Sequence, residues 1–301
     1  MGIKLRKGCY LLLLMFLSSV VLPCMSGYAW GQATHAYIGE KSLGLNNFAS
    51  YHARLGSVVP DFFYYLVGVD LINQTVAEQL HGFTHQPNVF PNTTYFYELL
   101  RDNLDLRDQQ LRYFVEGVRS HLYADIKAHD PLTGYVEGSG MWVDIMMNKT
   151  GITDRMALHG SIELAVDSLV INVYGDQSPK LIFSTSDVEF LEQVVGLVFQ
   201  ETGITLTFDV SLEFRKYLFL LQLQESVLDI YGDDLIRGKA DPYLIEVVDR
   251  LSTILPQRYA VMLQILVQYP SELYTTLTAS GIHWKEGLDN AVDNVVETLS
   301  H

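Results

Sequence analysis

The chain has 301 residues, 49% of them hydrophobic, with 35 acidic side chains against 20 basic ones and a formal net charge of −15 at neutral pH. That length holds one large domain or two small ones around a sizeable core. The acidic excess argues against nucleic acid as a main partner, because phosphate backbones are bound by basic surfaces, and against steering onto strongly anionic membranes.

Lys4, Arg6 and Lys7 precede an apolar run over about 11–22, which ends in Gly27-Tyr28-Ala29 with small residues where a signal peptidase reads. Residues 1–29 are therefore expected to be a signal peptide, and the processed protein to be secreted or periplasmic. The run is shorter than the roughly 20 apolar residues a transmembrane helix needs, and no transmembrane segment is expected in the mature protein. Val21-Leu22-Pro23-Cys24 is a poor lipoprotein box, since Pro precedes the Cys. Both cysteines, Cys9 and Cys24, fall in the leader. An exported chain without disulfides needs another source of stability, which a large core and bound metal can supply. The leader holds three basic residues and no acidic ones, leaving 17 basic against 35 acidic and a formal charge of −18.

Cleavage after Ala29 makes Trp30 the first residue. A free α-amine titrates near 7.7–8.0 and can give up its proton to a metal near neutral pH. The Trp30 amine and carbonyl, with His35 as third ligand, form a candidate chelate that an uncleaved peptide nitrogen cannot make.

Beyond this point most of the chain reads as helix. Apolar periodicity predicts one long helix over 95–123 and further helices over 154–173, 188–199, 212–231, 242–254, 257–269 and 284–299. Breaks rich in Pro, Gly, Asp or Ser fall at 87–93, 130–139 and 175–178, and 181–183 and 205–208 read as short strands. There is no internal repeat and no low-complexity tract. Seven of the nine histidines precede residue 164. Chemistry is therefore expected in 30–177, with 178–301 a helical C-terminal extension packed on the same domain.

The chemistry concentrates in a few spacings. His121, Asp125 and His129 stand four residues apart, which puts them on one helical stripe. Imidazole and carboxylate suit zinc, although an ordinary polar helix face has the same pattern. His159 and Glu163 repeat the spacing, with Asp167 one turn further on as a supporting partner or a solvated charge. Asp61, after Pro60 in an apolar stretch, reads as a cap or a carboxylate ligand. His81 and His85 offer one or two imidazoles before a loop. His52 fits no ligand position, and His283 beside Trp284 reads as a cap or surface pair.

In order and spacing, this set resembles the zinc-dependent phospholipase C family, whose broader relatives include the single-strand-specific zinc nucleases. The resemblance covers about 30–167. It implies an all-α multi-helix bundle with two to three zinc ions in one cleft. It assigns Trp30 and His35 to one zinc and Asp61, within Gly56-Ser57-Val58-Val59-Pro60-Asp61, to another. It assigns either His85 or His81 next, then His121 and Asp125 with the aspartate bridging two ions, then His129, and finally His159 and Glu163. Asp125 and His129 stand closer together than the matching pair in the well-known secreted members. The implied activity is hydrolysis of a phospholipid phosphodiester at a membrane or micelle surface, releasing diacylglycerol and a phosphorylated headgroup. Zinc would activate the water and Asp61 would orient or deprotonate it. A zinc nuclease or other phosphodiesterase, and a non-catalytic zinc-stabilised binding protein, are the alternatives. Glu163 and the acidic surface favour the lipase reading.

Overall fold

The computed structural model describes residues 31–45, 48–63, 66, 76, 80, 96–128, 136, 141–175, 185–253, 257–279 and 283–299. They form an all-α protein. In chain order the helices are α1 (Gln32–Ser42), α2 (Phe48–Val58), α3 (Phe96–Asn103), α4 (Gln109–Ala128), α5 (Trp142–Thr150) and α6 (Arg155–Tyr174). Then follow α7 (Thr185–Thr202), α8 (Val210–Ile236), α9 (Pro242–Leu251), α10 (Gln257–Gln268), α11 (Pro270–Leu277) and α12 (Trp284–Leu299).

Aspartates start several of these helices. Asp154 accepts from the Ala157 N–H at 3.0 Å, Asp209 from Leu212 at 2.9 Å and Asp241 from Tyr243 at 2.8 Å. Each satisfies a backbone donor that the first helical turn leaves open. Pro242 occupies the first turn of α9, where its missing N–H costs nothing.

Two sequence expectations are corrected. The predicted helix over 95–123 is two helices, α3 and α4, because aspartates between them hold turns instead. Asp105 accepts from the Arg107 N–H at 3.2 Å, a local bond that competes with the helical ladder, and Asp108, just before α4, accepts from the Gln110 N–H at 2.8 Å and starts a new helix there. The predicted strand over 205–208 is irregular chain between α7 and α8. Phe208 there packs its ring edge-on to Phe199, with centroids 5.8 Å apart, and no strand among the described residues is available to pair with it. The segment 181–183 lies outside the described residues.

Two apolar clusters form the core. One joins α1, the end of α4, α5 and α6 to Leu228 and Leu235 of α8 and to Trp284 and Leu288 of α12. The other joins α2, α3 and the start of α4 to α7 and to Phe214 and Leu218 of α8. The 27-residue α8 thus runs through both. Residues on either side of position 178 contribute to each cluster.

Among the described helices, α6 is long and apolar enough to cross a membrane, but 83% of its most apolar window is buried inside the protein. A helix apolar all round is what a central core position requires. α6 packs against α1, α5, α8, α10 and α11.

α2 and α4 cross in direct backbone contact. A Cβ at Gly56 would overlap the Phe114 carbonyl oxygen, and one at Gly117 would overlap that of Ala53. Only glycine on both sides permits this approach. It brings the end of α2 under the middle of α4, where the site lies.

Candidate metal centre

Three helices and one turn converge. α1 supplies His35, α4 supplies His121 and Asp125, α6 supplies His159 and Glu163, and the turn after α2 supplies Asp61. All six side chains are buried. The turn is held by its aromatic neighbours. Phe62 stacks on Phe214 at 3.8 Å, and the Tyr217 hydroxyl donates to the Val58 carbonyl at 2.7 Å. Burying a ring such as Phe62 contributes about 1.5–3 kcal/mol, so Asp61 is anchored by core packing.

The close α2–α4 crossing sets the state of His121. Its Nδ1 lies 2.7 Å from the Ser57 carbonyl oxygen. A carbonyl can only accept, so Nδ1 carries a proton, and Nε2, the nitrogen a metal would take, points the opposite way. There it meets Asp125 Oδ2 at 3.2 Å and Asp61 Oδ1 at 3.9 Å. A backbone partner that fixes the tautomer is the usual support of a metal-binding histidine. His35 stacks on His121 with ring centroids 3.8 Å apart, and its Nε2 is 3.1 Å from Asp125 Oδ1. His35 Nδ1 is buried with no hydrogen-bond partner among the described residues.

Asp125 therefore turns one oxygen to each of two imidazoles. One ligand atom from each of His35, His121 and Asp125 can be chosen so that all three lie within 4.8 Å of one another. Two stacked, buried imidazoles and a shared carboxylate are a donor set that fits zinc. His159 Nε2 contacts Glu163 Oε1 at 2.5 Å as a second pair. The charges of Asp61 and Asp125 act on Glu163, so both pairs share one electrostatic environment.

Burial works to raise the Asp125 pKa, but His121 and His35 outweigh it and hold the carboxyl well below the usual range. Glu163 goes the other way. Burial pushes it up to about 8, against His159, with Asp61 and Asp125 adding to the rise. In the metal-free protein the folded state thus keeps a proton that the unfolded chain releases near its ordinary value of 4.5. Metal-free stability should then fall as pH rises from about 4.5 through about 8. Urea midpoints of metal-free protein at about pH 5.5 and about pH 8.5 check this, and Glu163→Gln should flatten the slope. An unchanged or higher midpoint at the alkaline end would count against it.

Of the residues expected from sequence, the structure brings together His35, Asp61, His121 and Asp125, with His159 and Glu163 as the adjoining pair. Trp30, His81, His85 and His129 lie outside the described residues. His52 is on α2 with its ring edge-on to Tyr51 at 5.1 Å. His283 behaves as a cap: its Nδ1 accepts from the Lys285 N–H at 3.2 Å and its carbonyl from Glu286 at 2.9 Å. Asp167 is not a solvated charge but fully buried. The supporting groups Gln32, Ser57 and Tyr217 carry no spacing signal, since a backbone carbonyl and a distant tyrosine leave no motif. Gln32 Nε2 donates to Asp61 Oδ2, and the Tyr217 hydroxyl lies 3.3 Å from Gln32 Oε1.

Residues 33–200, more than half of the 301-residue chain, match the family model described as zinc dependent phospholipase C. No curated protein and no solved structure matches the chain.

Proposed function

The chain belongs to the zinc-dependent phospholipase C family, and on that premise we propose that it is a secreted zinc hydrolase that cleaves phospholipids to diacylglycerol and a phosphorylated headgroup. The observation that carries this reading is Asp125, buried in a family-matched segment with each carboxylate oxygen facing a different histidine.

In this reading His35, His121, Asp125, Asp61, His159 and Glu163 hold two to three zinc ions, together with Trp30, His129 and one of His81 and His85. Bound zinc supplies hydroxide near neutral pH and charge stabilisation for the phosphodiester. The protein's own groups do the rest. Ser57 keeps the proton on His121 Nδ1, so that Nε2 stays a ligand. Gln32 donates to Asp61 Oδ2 and steadies the carboxylate, and Asp61, whose Oδ1 lies on the His121 side, would orient the attacking water and accept its proton. The C-terminal helices supply no ligand in this scheme; α8 steadies the Asp61 turn through Phe214 and Tyr217.

The test is product analysis on phosphatidylcholine vesicles and on single-stranded DNA. Diacylglycerol and phosphocholine should appear, disappear with a chelator and return with zinc. Cleavage of DNA without lipid would make the protein a nuclease. Zinc content without turnover of either substrate would make it a binding protein.

Export with cleavage after Ala29 belongs to the same proposal. Secreted protein should begin at Trp30 on N-terminal sequencing. Purified precursor should bind one zinc fewer, because its peptide nitrogen cannot chelate. A fully active protein that starts elsewhere would refute the role of the amine.

A further inference from the structure

Asp167 lies one helical turn beyond Glu163 on α6 and is fully buried. The donors around it come mainly from another helix. Its Oδ1 accepts from the Thr34 N–H at 2.9 Å and from the Thr34 hydroxyl at 2.8 Å. Its Oδ2 accepts from the Ala33 N–H at 3.3 Å and from Gln224 Nε2 of α8 at 3.2 Å. The backbone donors are first-turn amides of α1, which a helix leaves without internal partners.

α1 has no cap of its own. Its N-cap residue is Gly31, with no side chain to accept a bond. A carboxylate from α6 does that work across the core, at the positive end of the helix dipole. Gly31 is part of the fit, because a Cβ there would overlap the Asp167 carboxylate. The Gly31 carbonyl in turn accepts from the His35 N–H at 3.0 Å. One carboxylate therefore fixes the turn from which His35 projects onto Asp125, and ties it to the helix that carries His159 and Glu163.

We propose that Asp167 is a positioning residue for the metal centre, clamping the first turn of α1 through Gly31, Ala33 and Thr34 so that His35 is held at its ligand position. The inference rests on the proposed zinc function. It adds a chain of support that touches no substrate and no metal.

The experiment measures zinc affinity of secreted, processed protein by competition with a chromogenic chelator, alongside thermal unfolding. Asp167→Asn should weaken one zinc site about 10- to 100-fold and leave the others unchanged, as loss of a partner supporting a ligand does. Thr34→Val, which removes one bond and keeps the shape, should shift the same site less. Should Asp167→Asn fail to fold, Thr34→Val carries the test. Gly31→Ala should act like Asp167→Asn, and should add little in an Asp167→Ala background where its methyl has room. Excess zinc should restore lipid hydrolysis in each folded variant. A lower melting temperature with every zinc affinity unchanged would mean Asp167 serves the fold alone, and would overturn the inference. Wild-type protein without zinc would overturn the proposed function as well, so the two failures are told apart by the wild-type measurement.

Discussion

Folded Asp125→Asn protein should lose metal from two sites at once, whereas His159→Ala should weaken one. The geometry gives the reason. Asp125 Oδ1 is 3.1 Å from His35 Nε2, and Oδ2 is 3.2 Å from His121 Nε2, so each oxygen serves a different imidazole. Dications held side by side repel, and a shared anion between them offsets part of that repulsion. Asparagine keeps the shape but removes the charge, and it places an N–H donor where one ligand oxygen was. Were Asp125 only an exposed ion-pair partner, the change would cost at most about 1 kcal/mol and no metal. Its burial argues against that reading before any measurement. Zinc per chain, determined after dialysis without chelator, decides the matter. Undiminished zinc together with undiminished phosphodiester hydrolysis would dismiss the bridging role of Asp125.

The helical class and the spacings of the candidate ligands were legible because both are periodic. His121 with Asp125, and His159 with Glu163, repeat at one helical turn; α4 has a clear apolar face, and the 20-residue α6 is apolar enough over its length to read as a core helix. α1 and α2 were not legible as helices. α1 is buried over most of its surface, so its sequence has no polar face to set off an apolar one. The split between α3 and α4 was hidden because its apolar positions stay in phase while aspartate turns interrupt the backbone. Asp167 shows a deeper limit. Its spacing from Glu163 suggested a role, but nothing local distinguishes an exposed carboxylate from one that caps another helix across the core. That distinction depends on Gly31, 136 positions away in sequence. Ser57 is similar: its contribution is a carbonyl oxygen, which every residue has, and only the helix crossing gives it meaning.

That crossing gives the second large effect. Gly117→Ala should destabilise the protein by about 1–3 kcal/mol, the range for overpacking, and should also lower zinc affinity. Alanine is the better helix former by about 0.8–1.0 kcal/mol, so in a loosely packed helix the same change would stabilise. The two expectations differ in sign. Packing wins here because the added methyl would overlap the Ala53 carbonyl oxygen and lie 3.0 and 3.1 Å from Ala53 C and Cα. Those are backbone atoms of α2 and cannot rotate away, so the helices must separate. His121 lies one turn beyond Gly117, and Ser57 is next to Gly56, the other glycine of the crossing. Separation would therefore stretch the 2.7 Å contact that keeps the proton on His121 Nδ1. Gly196→Ala in α7 is the control, since a Cβ there meets nothing within 4 Å. It should stabilise by about 0.5–1 kcal/mol and leave zinc affinity alone. Urea unfolding of both variants, with and without zinc, tests the contrast. If Gly117→Ala stabilises the protein as Gly196→Ala does, the crossing is not tight, and the support of His121 must come from elsewhere.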